Sequence, residues 1–222
     1  MIFVASKWML NDLIENGISP KKVHVLPYFL QITNLDGINY RSNFSYSCLF
    51  VGRLVEYKGL ENGMKAVAFA EKMLGKKITI SIAGNGPKKE KVLELAQKLG
   101  LQIKFLGWVE SSILDELYST HDFLLFPSLW PEPFGLVGIE AGQSGLPCIG
   151  YREGGVKDWL VPGITGDCAI DRSFNPKNLA LAVQRLYSNV ERWNFMRKNS
   201  YLKSLEFNKA LHFRVFDKLV MA

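Results

Sequence analysis

The chain alternates short, strand-like apolar segments with longer segments whose apolar residues recur at helical spacing. Leu60, Met64 and Val67, for example, lie on one face of a helix that follows the apolar run at residues 48–51. A strand, a helix and another strand, repeated several times, are typical of a parallel sheet with helices on both faces. The sequence therefore predicts an α/β fold with a Rossmann-like parallel sheet flanked by helices.

The predicted elements divide the chain into three parts. The strands of the sheet are predicted at residues 48–51, 78–83, 103–106, 123–126, 147–149 and 166–169. Before them, residues 7–16 are predicted to be a helix and residues 23–26 a strand, and residues 31–47 to be a connection. The last 30 residues are aromatic-rich and helical in pattern, so we expect them to pack on another surface.

Composition excludes several classes of protein. With 222 residues, 48% of them hydrophobic, the chain has enough apolar surface for a core without disulfide or metal support. Cys48, Cys148 and Cys168 form no CxxC pair, so neither a disulfide framework nor a zinc site is expected. No apolar run is long enough to span a bilayer and no signal peptide is apparent, so a cytoplasmic location is expected. The net charge of +6 comes from dispersed residues without a nucleic-acid recognition motif.

The loop after the predicted strand at 48–51 carries two cations. Gly52 and Arg53 follow the strand directly, and Lys58 precedes the next helix. Parallel sheets bind ligands at the carboxyl ends of their strands, and an arginine fork with a lysine ammonium suits a diphosphate. The alternative is that the two are ordinary surface cations flanking a loop.

A second candidate segment lies between the predicted strands at 123–126 and 147–149. Glu132 stands in a loop, and a helix is predicted to begin near Leu136 with Glu140 about one turn inside it. Free amides near Gly135, Leu136 and Val137 at the start of such a helix bind anions without any side chain. Each carboxylate can accept hydrogen bonds from paired sugar hydroxyls. The alternative is an ordinary helix start with both carboxylates in solvent.

Taken together, these segments resemble the retaining glycosyltransferases of family 4, which have the GT-B fold. The resemblance extends from about residue 48 to residue 170. The run EPFGLVGIEA, which contains Glu132 and Glu140, is its most specific part. The other matching pieces are Phe50-Val51-Gly52-Arg53, Lys58-Gly59, Ala83-Gly84-Asn85-Gly86-Pro87, Phe105-Leu106-Gly107, Phe126-Pro127-Ser128, Gly145-Leu146-Pro147, Gly154-Gly155 and Gly163.

The resemblance implies a donor site for a nucleotide-diphosphate sugar and assigns a role to each candidate. Gly52 is expected to contact the nucleotide sugar, and Arg53 and Lys58 to hold the diphosphate and neutralise it as it leaves. Glu132 is expected to hold the donor sugar, and Glu140 the ribose. The sugar and phosphate are expected to meet the backbone of Phe134, Gly135, Leu136 and Val137, and the base to lie near Val109. The implied catalytic residues are Glu132, Arg53 and Lys58, with no metal or other cofactor.

A GT-B enzyme has two Rossmann-like domains, and this chain contains one. The resemblance assigns residues 1–33 to the end of the N-terminal domain and linker, and 34–188 to the nucleotide-sugar-binding domain. Residues 189–222 are expected to be C-terminal helices that dock on the absent N-terminal domain. An acceptor-binding half, missing or separately encoded, is therefore an expected partner, and the isolated chain is expected to be inactive.

The expected function is hexosyl transfer with retention of anomeric configuration, in polysaccharide biosynthesis, in the cytoplasm or at the inner face of the membrane. Peripheral membrane contact is a possible further partnership, and nucleic acid is not an expected partner. One alternative is a non-catalytic nucleotide-sugar-binding module left by truncation. Another is an epimerase or phosphorylase of the same fold, for which the sequence shows no signature. The base, the sugar and the acceptor are not predicted.

Overall fold

The structure, a computed structural model, describes residues 1–32, 37–169 and 173–221. Its strands in these ranges form one sheet of two strands and one of six, and all neighbouring strands run parallel. The strands are β1 (Ile2–Val4), β2 (Val23–Val25), β3 (Ser47–Val51), β4 (Thr79–Ala83), β5 (Ile103–Gly107), β6 (Phe123–Phe126), β7 (Cys148–Gly150) and β8 (Gly166–Cys168).

The larger sheet has the strand order β5-β4-β3-β6-β7-β8. From the central strand β3 the chain first builds outward to β5, and it then returns to place β6 on the other side of β3. The β3–β6 pair is thus the switch point of the sheet, where the loops leaving the two strands diverge and open a crevice. A parallel sheet of this kind is the predicted fold class, which is confirmed.

Helices connect the strands and cover the sheet. They are α1 (Lys7–Glu15), α2 (Leu60–Leu74), α3 (Lys89–Leu99), α4 (Ser111–Thr120), α5 (Leu136–Gln143), α6 (Pro176–Tyr187), α7 (Val190–Ser204) and α8 (Lys209–Val220). Short 3₁₀ turns occur as well, including one at Glu56–Lys58 between β3 and α2. The predicted strands and helices of the main sheet agree with these elements to within one to three residues at most ends.

The core consists of two apolar layers, one on each face of the sheet, because successive side chains of a strand point to opposite faces. On β3, Cys48 and Phe50 face the layer formed by α2, α3 and α6, whereas Leu49 faces the layer that includes α4 and α5. All three side chains are buried. Helices on both faces hold the carboxyl edge of the sheet in place.

A buried carboxylate joins the connection before β3 to the rest of the domain. Asp122, at the start of β6, accepts hydrogen bonds from the amides of Ser45 (3.0 Å) and Ser47 (3.1 Å). It also accepts from the hydroxyl of Tyr187 at the end of α6 (3.1 Å). Arg41 lies 3.4 Å from the same carboxylate. Asp122 thus connects three segments of the chain and is fully buried.

The first 29 residues pack against the last helix. Strand β1, which the sequence pattern does not predict, pairs with β2. Phe3 of β1 contacts Phe216 of α8, with ring centroids 5.5 Å apart. The His212 ring hydrogen-bonds to the carbonyl of Pro27 at 2.8 Å. The predicted boundary at residues 33 and 34 lies outside the described residues, and the three-part division of the chain stays a prediction.

Within the described ranges, no helix combines the length and the apolar character that crossing a membrane requires.

Candidate functional site

Two adjoining cavities lie at the carboxyl ends of the central strands, and a third lies between α4 and α5. The β3–β6 cavity has a volume of about 250 Å³, and the β3–β4 cavity, of about 320 Å³, shares Val51 and Gly52 with it. The α4–α5 cavity, of about 340 Å³, shares Leu114 with the β3–β4 cavity. Neighbouring cavities thus share lining residues near the switch point, and the three together are called the groove below.

Two candidate residues of the β3–β6 cavity contact each other directly. The ammonium Nζ of Lys58 lies 2.6 Å from Oε1 of Glu132. Oε1 also accepts a hydrogen bond from the hydroxyl of Ser128, at 2.8 Å. The Glu132 side chain is 11% exposed and that of Lys58 28%. Because the carboxylate is largely removed from water, it needs both donors: the Lys58 ammonium balances its charge and the Ser128 hydroxyl adds a hydrogen bond.

The backbone brings the two loops together. Gly59 has a φ of +66°, which favours glycine, and a Cβ there would overlap the carbonyl oxygen of Pro127. The amide of Leu129 donates to the carbonyl of Tyr57 at 2.8 Å. This close approach places Lys58, at the end of the loop after β3, beside the segment that follows β6.

Glu132 is fixed from its other side by the chain that follows β7. The amide of Gly155 donates to the carbonyl of Glu132 at 2.7 Å, and Glu132 and Gly154 form a parallel bridge. A Cβ on Gly154 would lie only 2.4–2.6 Å from backbone atoms of residues 131 and 132, so only glycine fits this contact. The Gly154-Gly155 pair thus holds the Glu132 backbone in place.

Helix α5 begins at the wall of the β3–β6 cavity with free amide groups. Its N-cap is Gly135 (φ +83°), and no side chain caps the helix. In the part of the chain that the structure describes, nothing accepts a hydrogen bond from the amides of Leu136 and Val137. The Trp159 indole donates to the Phe134 carbonyl at 2.6 Å and fixes the turn before the helix. Free amides and the helix dipole make this end of α5 favourable for an anion.

Glu140 lies one turn into α5, at the wall of the α4–α5 cavity. Its Oε2 accepts a hydrogen bond from the hydroxyl of Tyr118 at 3.2 Å. Burial raises the pKa of Glu140 above its ordinary value; the Tyr118 hydrogen bond acts in the opposite direction, and the nearby charge of Asp115 acts in the same direction as burial. The carboxylate therefore carries a desolvation cost that a polar ligand in the cavity would relieve.

Arg53 and Val109 line the β3–β4 cavity, not the β3–β6 cavity. Arg53 is exposed, and among the described residues no side chain or carbonyl pairs with it. A guanidinium without a protein partner is available to a ligand.

The structure thus distributes the predicted site residues over one groove but not over one cavity. The β3–β6 cavity is lined by the larger group: Gly52, Lys58, Glu132, Phe134, Gly135, Leu136 and Val137. Arg53 and Val109 lie in the second cavity and Glu140 in the third. The Phe134 side chain is buried and stacks edge-on against Phe207, so at most its backbone is open to a ligand.

Sequence reasoning assigned no role to two residues that contact the candidates. The sequence matches Ser128 only as part of a motif, although its place two residues after the end of β6, at the ligand-binding edge, is a signal of a site residue. The sequence around Tyr118 indicates only a helix, and it gives no sign of the contact with Glu140. His121 is buried, its ring nitrogen Nε2 lies 2.7 Å from the hydroxyl of Ser81, and burial lowers its pKa, as is usual for a structural histidine.

Among residues 1–32, 37–169 and 173–221, no three His, Cys, Asp or Glu side chains lie close enough to hold a metal ion together.

Comparison with known families gives a match over most of the chain. Residues 43–203 match the family described as Glycosyl transferases group 1. An uncharacterized glycosyltransferase of Methanocaldococcus jannaschii is 30% identical over 190 residues, which cover 82% of this chain and 45% of the relative. A D-inositol 3-phosphate glycosyltransferase of Corynebacterium diphtheriae is 35% identical over 125 residues, covering 53% of this chain and 29% of the relative. The chain spans less than half the length of these curated relatives.

Comparison with solved structures supports the fold. HepE of Anabaena, in complex with UDP and glucose, superposes with a TM-score of 0.84 at 18% identity, covering 100% of this chain and 63% of HepE. The apo lipopolysaccharide outer core galactosyltransferase WaaB gives a TM-score of 0.81 at 20% identity, covering 99% of this chain and 61% of WaaB. At these identities the likeness concerns the arrangement of helices and strands.

Proposed function

The chain belongs to the Glycosyl transferases group 1 family, and we propose that it forms the donor-binding half of a retaining, metal-independent glycosyltransferase. In this proposal it is the C-terminal half of a GT-B enzyme and binds a nucleotide-diphosphate sugar. The observation that carries the proposal is the convergence of Lys58, Glu132 and the free amides of α5 on one cavity.

The diphosphate is assigned to the groove between Lys58, Arg53 and the start of α5. Breaking the bond between the anomeric carbon and the phosphate oxygen builds negative charge on the diphosphate as it leaves. Fixed cations and free amides that face this charge stabilise it more in the transition state than in the bound donor. This stabilisation requires no metal ion. Lys58 and Arg53 line different cavities that share Gly52, so we place the diphosphate beside Gly52, where it would contact both cations.

Each remaining role is assigned to a residue in one of the three cavities. Glu132, in the β3–β6 cavity, holds hydroxyls of the donor sugar. The base lies near Val109 in the β3–β4 cavity, and Glu140 accepts from the ribose in the α4–α5 cavity. A ribose hydroxyl pair would supply Glu140 with the hydrogen bonds that burial has removed.

The acceptor is assigned to a second half that this chain does not include. The chain covers 45% and 43% of two curated relatives, a proportion that is consistent with one of two domains. We therefore expect the isolated chain to bind donor without transferring the sugar. Hexosyl transfer in polysaccharide synthesis, in the cytoplasm or at the inner membrane face, is the wider context that we propose.

Calorimetric titration of the chain with a panel of nucleotide sugars tests the donor site. UDP-glucose is the first probe, because the Anabaena neighbour was solved with UDP and glucose, and GDP- and ADP-sugars follow. We expect at least one of them to bind, and Lys58→Ala to weaken its binding. Lys72→Ala, at the far end of α2 from the groove, is the matched control. Failure of every nucleotide sugar to bind would overturn the proposal.

Retention is tested separately, with the chain and an acceptor-binding half produced together. The anomeric configuration of the product, determined by proton NMR, is expected to match that of the donor. Binding of the donor without transfer in that assembly would favour the non-catalytic module instead.

A further inference from the structure

We propose that Ser128 is a positioning residue that keeps the Glu132 carboxylate in place when the diphosphate of the donor attracts Lys58. This inference rests on the proposed function and deepens it. It assigns to a hydroxyl at the end of β6 a part in recognising the sugar, separate from recognition of the nucleotide.

The hydroxyl of Ser128 has a single hydrogen to donate, and its surroundings determine where that hydrogen goes. Its oxygen lies 2.8 Å from Oε1 of Glu132, and 3.3 Å from the carbonyls of Tyr57 and Trp130. All three neighbours are acceptors. The shortest contact is also the one to a charged group, so the hydroxyl of Ser128 donates its hydrogen bond to Oε1 of Glu132. Ser128 is 3% exposed, and water therefore does not compete for it.

Lys58 is the other donor to the same oxygen, and it has a competing ligand once a donor is bound. A diphosphate carries more negative charge than a carboxylate, and it enters the cavity that Lys58 lines. As the ammonium turns toward the diphosphate, its contact with Oε1 weakens. The Ser128 hydroxyl is then the donor that remains on Oε1.

The second carboxylate oxygen is available to the sugar. Nothing in the described ranges donates a hydrogen bond to Oε2 of Glu132, although the residue is only 8% exposed. With Oε1 held by Ser128, the orientation of Oε2 toward a sugar hydroxyl is fixed before the sugar binds. Preorganisation of this kind increases affinity because no side-chain freedom is lost on binding.

The experiment compares two ligands that differ only by the sugar. A nucleoside diphosphate and the matching nucleotide sugar are titrated into wild type, Ser128→Ala and Ser128→Thr. We expect Ser128→Ala to bind the diphosphate within about twofold of wild type and the nucleotide sugar about fivefold to tenfold more weakly. Ser128→Thr keeps the hydroxyl and is expected to restore most of the difference.

Ser204→Ala is the matched control, because Ser204 is equally buried, its hydroxyl donates to the Tyr201 carbonyl at 2.7 Å, and it lines none of the three cavities. It is expected to leave both affinities unchanged. If Ser128→Ala lowered the affinity for both ligands equally, the hydroxyl would be purely structural and the inference would be overturned. Unchanged affinity for both ligands would overturn it as well. If wild type binds neither ligand, the proposed function itself fails, which is a distinguishable result.

Discussion

The Tyr118 hydroxyl donates to Oε2 of Glu140 across 3.2 Å, joining α4 to α5 at the wall of one cavity. It is the only hydrogen bond that the described residues give this carboxylate, and burial still raises the pKa of Glu140. Glu140 is thus a candidate for binding the ribose, and its burial costs the ligand-free protein folding free energy. Functional sites commonly carry a cost of this kind.

Replacing Glu140 with Gln is therefore expected to stabilise the folded protein and weaken nucleotide binding. The folded chain holds the Glu140 proton at higher pH than the unfolded chain does, because the pKa is raised. The stabilising contribution of the protonated carboxyl is full below the unfolded pKa and is lost as pH rises through the folded pKa. The advantage of Glu140→Gln should thus grow as the pH increases and then level off.

Thermal unfolding of wild type and Glu140→Gln at pH values from about 4 to 8 tests this dependence. Glu116→Gln, at an exposed position of α4, is the control, and its unfolding temperature should differ little from that of wild type at each pH. A Glu140→Gln protein that is less stable than wild type at neutral pH would contradict the prediction.

Arg53→Ala is expected to weaken diphosphate binding without destabilising the fold. Arg53 is exposed and has no partner within the described ranges, so little is lost when its side chain is removed. Because the variant loses a charge-assisted contact at an exposed position, we expect its affinity for the diphosphate to fall about tenfold. Calorimetry at two salt concentrations checks this, because the difference from wild type should shrink as salt increases. Unchanged affinity at low salt would remove Arg53 from the site.

Gly138→Ala is expected to destabilise the protein by about 1–3 kcal/mol through overpacking. A Cβ on this residue of α5 would overlap the six-membered ring of Trp159, whose indole holds the Phe134 carbonyl. Urea denaturation measures the loss. Adding Trp159→Phe should recover part of it, because the phenyl ring lacks the overlapping atoms. If the double variant is less stable than the sum of the single variants predicts, the contact is not the cause.

Asp122→Ala is expected to reduce stability by about 3 kcal/mol, because it leaves buried amides and the Tyr187 hydroxyl without their acceptor. Asp122 lines none of the three cavities, so the folded fraction should bind nucleotide as wild type does. Chemical denaturation and calorimetry on the same sample separate the two effects. Asp217→Ala, at an exposed position of α8, is the control. A change of less than about 1 kcal/mol would contradict this role for Asp122.

The sequence predicted the main sheet well because its strands are apolar and its helices carry clear stripes, as Leu60, Met64 and Val67 do in α2. Strand β1 was not predicted, because the strand depends on pairing with β2, about 20 residues further along the chain, and local periodicity does not encode that pairing. The contact of Lys58 with Glu132 joins residues 74 positions apart. Periodicity carries no information on such a contact, which depends on the adjacency of β3 and β6. The proposed role of Ser128 depends on the 2.8 Å distance between its hydroxyl oxygen and Oε1 of Glu132, which no sequence motif encodes.

The position of β6 beside β3 also has a consequence for how the molecule unfolds. The two loops that would bind a nucleotide sugar follow β3 and β6, which pair with each other although β4, β5 and three helices lie between them in the chain. An intermediate containing only the first half of the sheet would lack one of the two loops, and so would have little affinity for the ligand. Nucleotide sugar should accordingly protect the whole domain as one cooperative unit, with amide exchange slowed in the central strands far beyond the atoms that it touches.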